Sequence, residues 1–199
     1  MTDPYTTYCH LVRRVEAFGQ AIRQRFSDQI TCHAGCDGCC YQSFTIFPVE
    51  AYHLVQALSD LPREARQRLQ RHLEQPESPW RLAAEPRPCA LLMHGQCGLY
   101  EGRPLICRMQ GYALFSTMIE SPDGGQRDCC PLNFTAMALS ALDPQAVYNL
   151  DVVNQTLVAI NHLFVKERHQ PDQRVSIRQA VLRALEALAQ ADDEARGMS

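Results

Sequence analysis

Apolar residues recur at helical spacing at both ends of the chain. Over residues 5–30 they follow one another at steps of three, four or seven, while most of the arginines fall off that face. A second apolar stripe follows Asp143-Pro144, a pair that suits a helix N-cap and the first helical position, and a third lies near the C-terminus. The pattern predicts an N-terminal helix over 5–30 and C-terminal helices over 131–195.

The middle of the chain predicts shorter elements separated by turn residues. In chain order they are a strand at 43–47, helices at 49–58 and 63–74, a proline-rich linker at 75–88, a hairpin with a glycine turn at 89–100, and an apolar run at 109–119 that suits a strand or a helix. The fold class that follows is mainly α with a small β-hairpin. A chain of 199 residues suits one ordinary domain, so we expect a single domain over 1–199 with a cysteine-bearing core at 31–130.

Composition excludes several classes of function. Apolar residues make up 46% of the chain and charged residues 21%, as in a soluble globular protein. The net charge of −3 argues against binding to nucleic acid through phosphate contacts. The N-terminus lacks a charged segment followed by an apolar run, and no stretch approaches the roughly 20 apolar residues of a membrane span. We therefore expect a cytoplasmic protein with no membrane or nucleic-acid partner.

The ten cysteines sharpen this picture. In a reducing compartment, cysteines bind metal or carry redox chemistry more often than they form structural disulfides. Four of them lie between residues 32 and 40 with the spacing C-x3-C-x2-C-C, and two glycines separate them. Folding several sulfurs onto one point requires tight turns, and glycine reaches the positive φ of such turns at little cost. The spacing therefore predicts a metal or cluster site.

Nine cysteines are candidate metal ligands: Cys32, Cys36, Cys39, Cys40, Cys89, Cys97, Cys107, Cys129 and Cys130. One tetrahedral zinc uses four ligands, and so does one cubane iron–sulfur cluster, so these thiols number about twice what one site needs. Cys9, alone on the N-terminal helix, is interpreted as a small core residue. His33 and His94 lie within the cysteine loops and are reserve zinc ligands.

Two of the cysteine segments contain adjacent thiols, Cys39-Cys40 and Cys129-Cys130. Neighbouring side chains point to opposite sides of an extended chain and diverge by about 100° in a helix. A vicinal pair is therefore a poor chelator of a single ion. We expect each pair to supply two adjacent metals, or one ligand and a second thiol with another role.

Arg108 is the candidate cofactor-binding residue outside the cysteine set. It directly follows Cys107, and Arg103 lies close by in sequence. A cluster of thiolates carries a large negative charge, which arginine N–H groups can offset while they donate hydrogen bonds to sulfur. We expect Arg108 to act in this way.

The spacing C-x3-C-x2-C is also the one by which radical enzymes that use S-adenosylmethionine hold a cubane cluster. That fold is an α/β barrel built from repeated strand–helix units, whereas this sequence is α-rich and has few strands. The pattern therefore disfavours a radical enzyme.

Taken together, the cysteine segments resemble a known family. The loop at 32–40 and the runs CGLY at 97–100 and RPLICR at 103–108 are similar to the motifs of the YkgJ-type cysteine-cluster family, over about residues 32–130. Members of that family are described as containing a zinc- or iron-chelating domain, so the resemblance implies metal binding.

Two departures from the family pattern concern its later cysteines. Pro88 precedes Cys89 instead of following it, and the last cysteine of the pattern is doubled, so either Cys129 or Cys130 is the matching residue. A related cysteine pattern occurs in flagellin lysine methylases, which are associated with an iron–sulfur cluster, and that resemblance would imply methyl transfer. The short chain and the lack of a recognisable Gly-rich cofactor loop argue against that activity.

These observations lead to an α-rich domain whose loops converge on a polythiolate site. The thiols suit either metal, but the loop is less like the paired C-x2-C knuckles of zinc sites, which favours an iron–sulfur cluster over zinc. The expected role is structural or electron-transferring. The alternatives are a cluster-dependent enzyme for methyl transfer or redox chemistry, and a protein that delivers zinc or iron. The sequence identifies no redox or protein partner.

Overall fold

The computed structural model describes residues 3–74, 87–118 and 126–197, which are mainly helical. The helices are α1 (Pro4–Arg25), α2 (Pro48–Ser59), α3 (Arg63–Glu74), α4 (Leu105–Met109), α5 (Leu150–Glu167) and α6 (Ile177–Gly197). The strands are β1 (Thr45–Ile46), β2 (Leu92–Met93), β3 (Gln96–Cys97), β4 (Leu114–Phe115), β5 (Arg127–Asp128), β6 (Tyr148–Asn149) and β7 (Val175–Ser176). The predicted fold class, mainly α with small strand pairs, is confirmed.

The chain divides into two compact units. Unit 1 comprises residues 1–34 and 105–171, and unit 2 comprises residues 35–104 and 172–199. Each unit combines an early and a late part of the sequence. The single domain over 1–199 stays a prediction.

Helix α1 begins where the sequence predicts and ends earlier. Asp3 is its N-cap, because the carboxylate accepts a backbone N–H of the first turn at 2.9 Å, and Pro4 occupies a position where its missing N–H is not needed. The helix ends at Arg25 rather than at residue 30. Phe26 leaves helical geometry, with φ −124° and ψ 42°, and its ring packs edge-on against the buried Phe134.

Unit 1 is built around α1, which packs against α4 and α5. Its sheet has the order β5-β4-β6, in which β4 is antiparallel to β5 and parallel to β6. Tyr148 connects this sheet to α1, since its buried hydroxyl donates to the Val15 carbonyl oxygen at 2.6 Å. Its ring meets Phe18 and Tyr112 edge-on.

Helix α5 begins later than the signal at Asp143-Pro144 suggests. The Asp143 carboxylate does cap a turn, but that turn is a short 3-10 helix, Pro144–Ala146. Tyr148 then pairs with Leu114 in the sheet, which requires extended backbone. The α-helix therefore begins only at Leu150, with the Asn149 side chain as its N-cap.

Unit 2 is built around α6, against which α2 and α3 pack. Its core includes Leu54, Leu58 and Leu69, whose exposed fractions are 0%, 0% and 1%. Burying a leucine of this kind stabilises the fold by about 1.5–3 kcal/mol relative to leaving it in water. Strand β1 pairs antiparallel with β7 beside this core.

Strands β2 and β3 form the hairpin that the sequence predicts. Leu92 pairs with Cys97 across a two-residue turn formed by His94 and Gly95, whose φ angles are +51° and +75°. Positive φ at both central residues is the geometry that matches the right-handed twist of a two-residue hairpin. The turn thereby places Cys97 opposite the segment that follows Cys89.

The remaining sequence predictions have mixed outcomes. The apolar run at 109–119 contains the end of α4 and the strand β4. Most of the predicted linker at 75–88 lies outside the described residues. A helix long and apolar enough to cross a membrane does not occur in the part of the chain that the structure describes.

Candidate functional site

The cysteine loop at 32–40 is divided between the two units. Cys32 belongs to unit 1, whereas Cys36, Cys39 and Cys40 belong to unit 2. Gly35 has a φ of +91°, a left-handed conformation that costs residues with a side chain about 1–2 kcal/mol. The glycine that the sequence placed at a tight turn is thus required by the backbone at position 35.

Unit 2 brings four thiols into one neighbourhood, called here the unit 2 thiol group: Cys39, Cys40, Cys89 and Cys97. Cys39 and Cys40 lie on a 3-10 turn, Gly38–Tyr41. The Cys89 N–H donates to the Cys40 carbonyl oxygen at 2.6 Å, and Cys97 is carried by β3. Three separate segments therefore contribute to the group.

Adjacent thiols in this group interact with each other instead of diverging. A hydrogen bond from Cys40 to the Cys39 sulfur raises the pKa of Cys40, and burial and the charges of the other three thiols act in the same direction. The same bond lowers the pKa of Cys39 to about 6, with a smaller contribution from the positive charge of Arg103. Burial, and then the charge of Cys39, raise the pKa of Cys89. The vicinal pair is therefore asymmetric.

Arg103 is the cation of the unit 2 thiol group. Its guanidinium carbon lies 3.4 Å from the centre of the Tyr100 ring, and its Nε donates to the Tyr100 carbonyl oxygen at 2.8 Å. These two contacts fix the charged group that acts on Cys39. An arginine is better suited to this arrangement than a lysine, because its planar fork both stacks and donates.

Unit 1 contains a second set, called here the unit 1 thiol group: Cys32, Cys129 and Cys130. The side-chain amide of Asn133 donates to the Cys32 sulfur at 3.3 Å. The Cys129 thiol donates to the carbonyl oxygens of Asn133 and Cys130, at 3.5 Å and 3.3 Å. Burial raises the pKa of Cys129 to about 11, and the charges of Asp128 and Cys130 add to that shift.

Two further contacts define the position of Cys32. Arg23, in the last turn of α1, donates to the Cys32 carbonyl oxygen at 2.8 Å. Gly111 has a φ of +93°, and a Cβ placed on it would lie 2.8 Å from the Cys32 sulfur. Only glycine therefore fits beside this thiol without displacing it.

The other predicted ligands lie in one unit or the other. Cys107, on α4 of unit 1, and Cys36, in unit 2, are half-buried, and each makes a polar or electrostatic interaction. Cys9 is half-buried on α1. His33 is exposed with its Nδ1 2.8 Å from a main-chain oxygen, and His94 is exposed at the hairpin turn.

Arg108 is buried and forms an ion pair with Glu16 of α1. The role expected for it, offsetting thiolate charge, stays a prediction. An arginine whose charge does act on a candidate ligand is Arg103, which lowers the pKa of Cys39.

The residues fit a thiophilic metal in their chemistry. Thiolates are the ligands that structural zinc and iron–sulfur clusters use most, and the unit 2 thiol group supplies four. Across residues 3–74, 87–118 and 126–197, no set of three or more Cys, His, Asp or Glu side chains is arranged closely enough to hold a metal ion.

Sequence reasoning missed two residues of these groups. Asn133 and Gly111 both contact the Cys32 thiol region, yet neither belongs to a spacing pattern of ligands. The available signals were weak: a polar residue three positions after Cys130, and a glycine three positions after Arg108.

Comparison with known proteins gives one match. A family model named CxxCxxCC, described as a putative zinc- or iron-chelating domain, matches residues 31–131, about half of the chain. No curated protein and no solved structure matches the chain. The matched range contains all nine candidate ligands and stops before Asn133.

Proposed function

Because the chain belongs to the CxxCxxCC family, we propose that it is a metal-binding protein whose cysteine thiolates hold an iron–sulfur cluster or zinc. The observation that carries the proposal is the unit 2 thiol group, in which three segments bring the thiols of Cys39, Cys89 and Cys97 within electrostatic reach of Cys40. Four is the number of protein ligands that one cubane cluster or one tetrahedral zinc uses.

The nine candidate ligands divide by unit in this proposal. The unit 2 thiol group would hold one centre, and Cys36 is a further candidate ligand in the same unit. In unit 1, the unit 1 thiol group together with Cys107 would supply the ligands of another. This division uses the surplus of thiols that a single four-ligand site leaves over.

We favour iron as a cluster over zinc. The cysteine loop lacks the paired C-x2-C spacing of zinc knuckles, and both thiol groups have a hydrogen-bond donor or a cation beside sulfur. Such groups set the reduction potential of iron–sulfur clusters. A bound cluster would supply one-electron transfer or a structural cross-link. The chain's own residues would position the thiolates and limit their contact with water.

Metal and sulfide analysis of protein purified without oxygen tests this proposal. We expect iron and acid-labile sulfide in comparable amounts, with a thiolate-to-metal absorption band, in both the natural chain and the control Cys9→Ser. Cys9 lies on α1, outside both thiol groups, so its loss should not change the metal content. Zinc without sulfide would show that the centre is zinc and not a cluster. Protein that contains neither metal would refute metal binding.

Treatment with a chelator distinguishes the roles left open by the sequence. A structural or electron-transferring centre should keep its metal in the presence of excess chelator, and its removal should unfold the chain, since binding and folding free energies are linked. Rapid transfer of metal to the chelator, with the fold intact, would instead favour delivery.

A further inference from the structure

Asn133 is a buried amide that joins three segments of unit 1. It is 2% exposed, and its Oδ1 accepts the Thr31 N–H at 2.8 Å and the Thr31 hydroxyl at 3.0 Å, a hydroxyl that it shares with the Leu132 carbonyl oxygen at 3.1 Å. Its Nδ2 donates to the Gly111 carbonyl oxygen at 2.5 Å and to the Cys32 sulfur at 3.3 Å. A primary amide has two donor hydrogens and two acceptor sites, so its hydrogen-bonding capacity is fully used.

These partners also fix the orientation of the amide. If the oxygen and nitrogen were exchanged, an acceptor would face the Gly111 carbonyl oxygen, and a donor would face the Thr31 N–H. The arrangement that satisfies every group therefore directs an N–H at the Cys32 sulfur.

The main chain of the same residue shapes the turn that carries Cys129 and Cys130. The Asn133 N–H donates to the Cys130 carbonyl oxygen at 2.9 Å, and its own carbonyl oxygen accepts from the Cys129 thiol at 3.5 Å. One residue thus contacts the Cys32 thiol near the start of the family match, and the Cys129 thiol and Cys130 main chain at its end.

Strained backbone at the next residue shows how firmly this turn is held. Phe134 has a φ of +54°, a conformation that is rare for a bulky side chain and costs about 1–3 kcal/mol. It persists because the Phe134 N–H donates to the Gln29 carbonyl oxygen at 2.8 Å and its buried ring packs against Phe26. Packing in unit 1 therefore fixes Asn133 in a single position.

We propose that Asn133 is a positioning residue of a thiolate metal centre in unit 1, donating a hydrogen bond to the Cys32 sulfur and fixing the Cys129-Cys130 turn. This inference rests on the proposed function. A metal-bound cysteine is a thiolate, and an N–H donor to an ionised acceptor makes a stronger hydrogen bond than one to a neutral thiol. The amide would thus stabilise the metal-bound form more than the metal-free form.

Cobalt(II) binding to the full chain, followed anaerobically by its thiolate charge-transfer absorption, tests the proposal. Asn133→Asp keeps the size of the side chain and replaces the donor with a negatively charged oxygen beside the Cys32 sulfur. We expect it to weaken cobalt(II) binding by about 10- to 100-fold, as loss of an outer-shell partner of a metal ligand does, and to shift the charge-transfer band.

Two variants separate positioning from general stability. Thr31→Val removes one hydroxyl donor to Asn133 at an exposed position, so it should fold and change affinity and band in the same direction by a smaller amount. If Asn133→Asp does not fold, Thr31→Val alone tests whether Asn133 positions the metal centre. The control Asn161→Ala removes another buried amide of unit 1, on α5. It should lower stability and leave the band unchanged.

Each outcome identifies which proposal fails. If the natural chain contains neither iron nor zinc as purified and shows no thiolate charge-transfer band with cobalt(II), the proposed metal binding fails. If the natural chain binds cobalt(II) but the folded variants at positions 133 and 31 match it in affinity and band, Asn133 is not a positioning residue. A loss of affinity that only follows the loss of stability, as in Asn161→Ala, would also overturn the assignment.

Discussion

The two thiol groups are held in different ways. In unit 1, a neutral buried amide, a glycine with positive φ and a strained phenylalanine fix the segments around Cys32 and Cys129. In unit 2, the free thiols of Cys39 and Cys40 are linked by a hydrogen bond, and the positive charge of Arg103 acts on Cys39.

Exposure distinguishes the two groups at one position. Cys39 is exposed, whereas the other three cysteines of the unit 2 thiol group and all three of the unit 1 thiol group are half-buried. The comparison teaches that thiols can be held either by packing and neutral hydrogen bonds or by interactions with charged groups. The unit 1 thiol group should therefore respond most to changes of volume, and the unit 2 thiol group to changes of charge.

The largest effects are expected from removing a ligand in one unit at a time. Cys32→Ser should remove the metal of unit 1 and leave that of unit 2, and Cys40→Ser should do the reverse, because each unit contains its own thiol group. The double variant should lose all metal. Metal content per chain, measured beside Cys9→Ser, checks this.

A single substitution that removes all of the metal would contradict this division. That result would favour the one convergent site that the sequence predicts.

The next largest effect concerns shape in unit 1. Gly111→Ala should destabilise the protein by more than the roughly 1–2 kcal/mol of left-handed strain, because the new Cβ would lie 2.8 Å from the Cys32 sulfur and 3.3 Å from Asn133 Nδ2. Gly35→Ala is the matched control, since its φ of +91° is nearly the same and no atom lies within 4 Å of the added Cβ. Denaturant unfolding of both variants measures the difference.

Equal destabilisation by the two alanines would show that strain alone is at work. The close approach of the added Cβ to the Cys32 sulfur would then contribute nothing to the loss of stability.

A smaller effect should follow from changing the charge in unit 2. Arg103→Gln removes the cation beside Cys39 and its stacking on Tyr100, and an exposed cation–π contact contributes about 0.5–1 kcal/mol. We expect weaker metal binding in unit 2 and a small loss of stability. Arg103→Lys keeps the charge and should recover part of the affinity, which a competition titration against a chelator measures.

Arg25→Gln, in unit 1, is the control for the loss of a positive charge. It removes a cation in unit 1 that pairs with Asp143, and it should not change metal affinity. A loss of affinity as large as that of Arg103→Gln would show that net charge, rather than the position of Arg103, matters.

The smallest expected effect concerns acid. Three carboxyl groups of unit 1 have a pKa below the ordinary value: Asp3, lowered by the Thr6 N–H, Asp143, lowered by the Gln145 N–H and then Arg25, and Asp151, lowered by Ser116 and then Thr117. A lowered pKa in the folded state stabilises above the unfolded value, about 3.9 for aspartate, and that stabilisation is lost as pH falls through the folded pKa. Below about pH 4, unit 1 of the metal-free protein should therefore lose stability.

Amide hydrogen exchange, resolved by segment, measures this loss. Asp143→Asn should reduce the dependence of unit 1 on pH. An unchanged dependence on pH in Asp143→Asn would contradict this explanation.

Several features of this protein were predictable from its sequence because they depend on neighbouring residues. The helix at 63–74 follows from local periodicity, and the hairpin at 89–100 from its glycine turn. The cysteine spacing indicated the family, and the family match over residues 31–131 confirms it. Local signals gave the N-cap at Asp3 correctly, but they placed the start of α5 too early.

The remaining features were decided only by tertiary structure. Pairing of Tyr148 with Leu114 delays α5, and packing of Phe26 on Phe134 ends α1. The bond from Asn133 to Cys32 joins residues 101 positions apart in the chain. Periodicity and spacing report on a few neighbouring residues at a time, so they identify which side chains can bind a metal. Which distant groups hold those side chains depends on the packing of whole helices and loops.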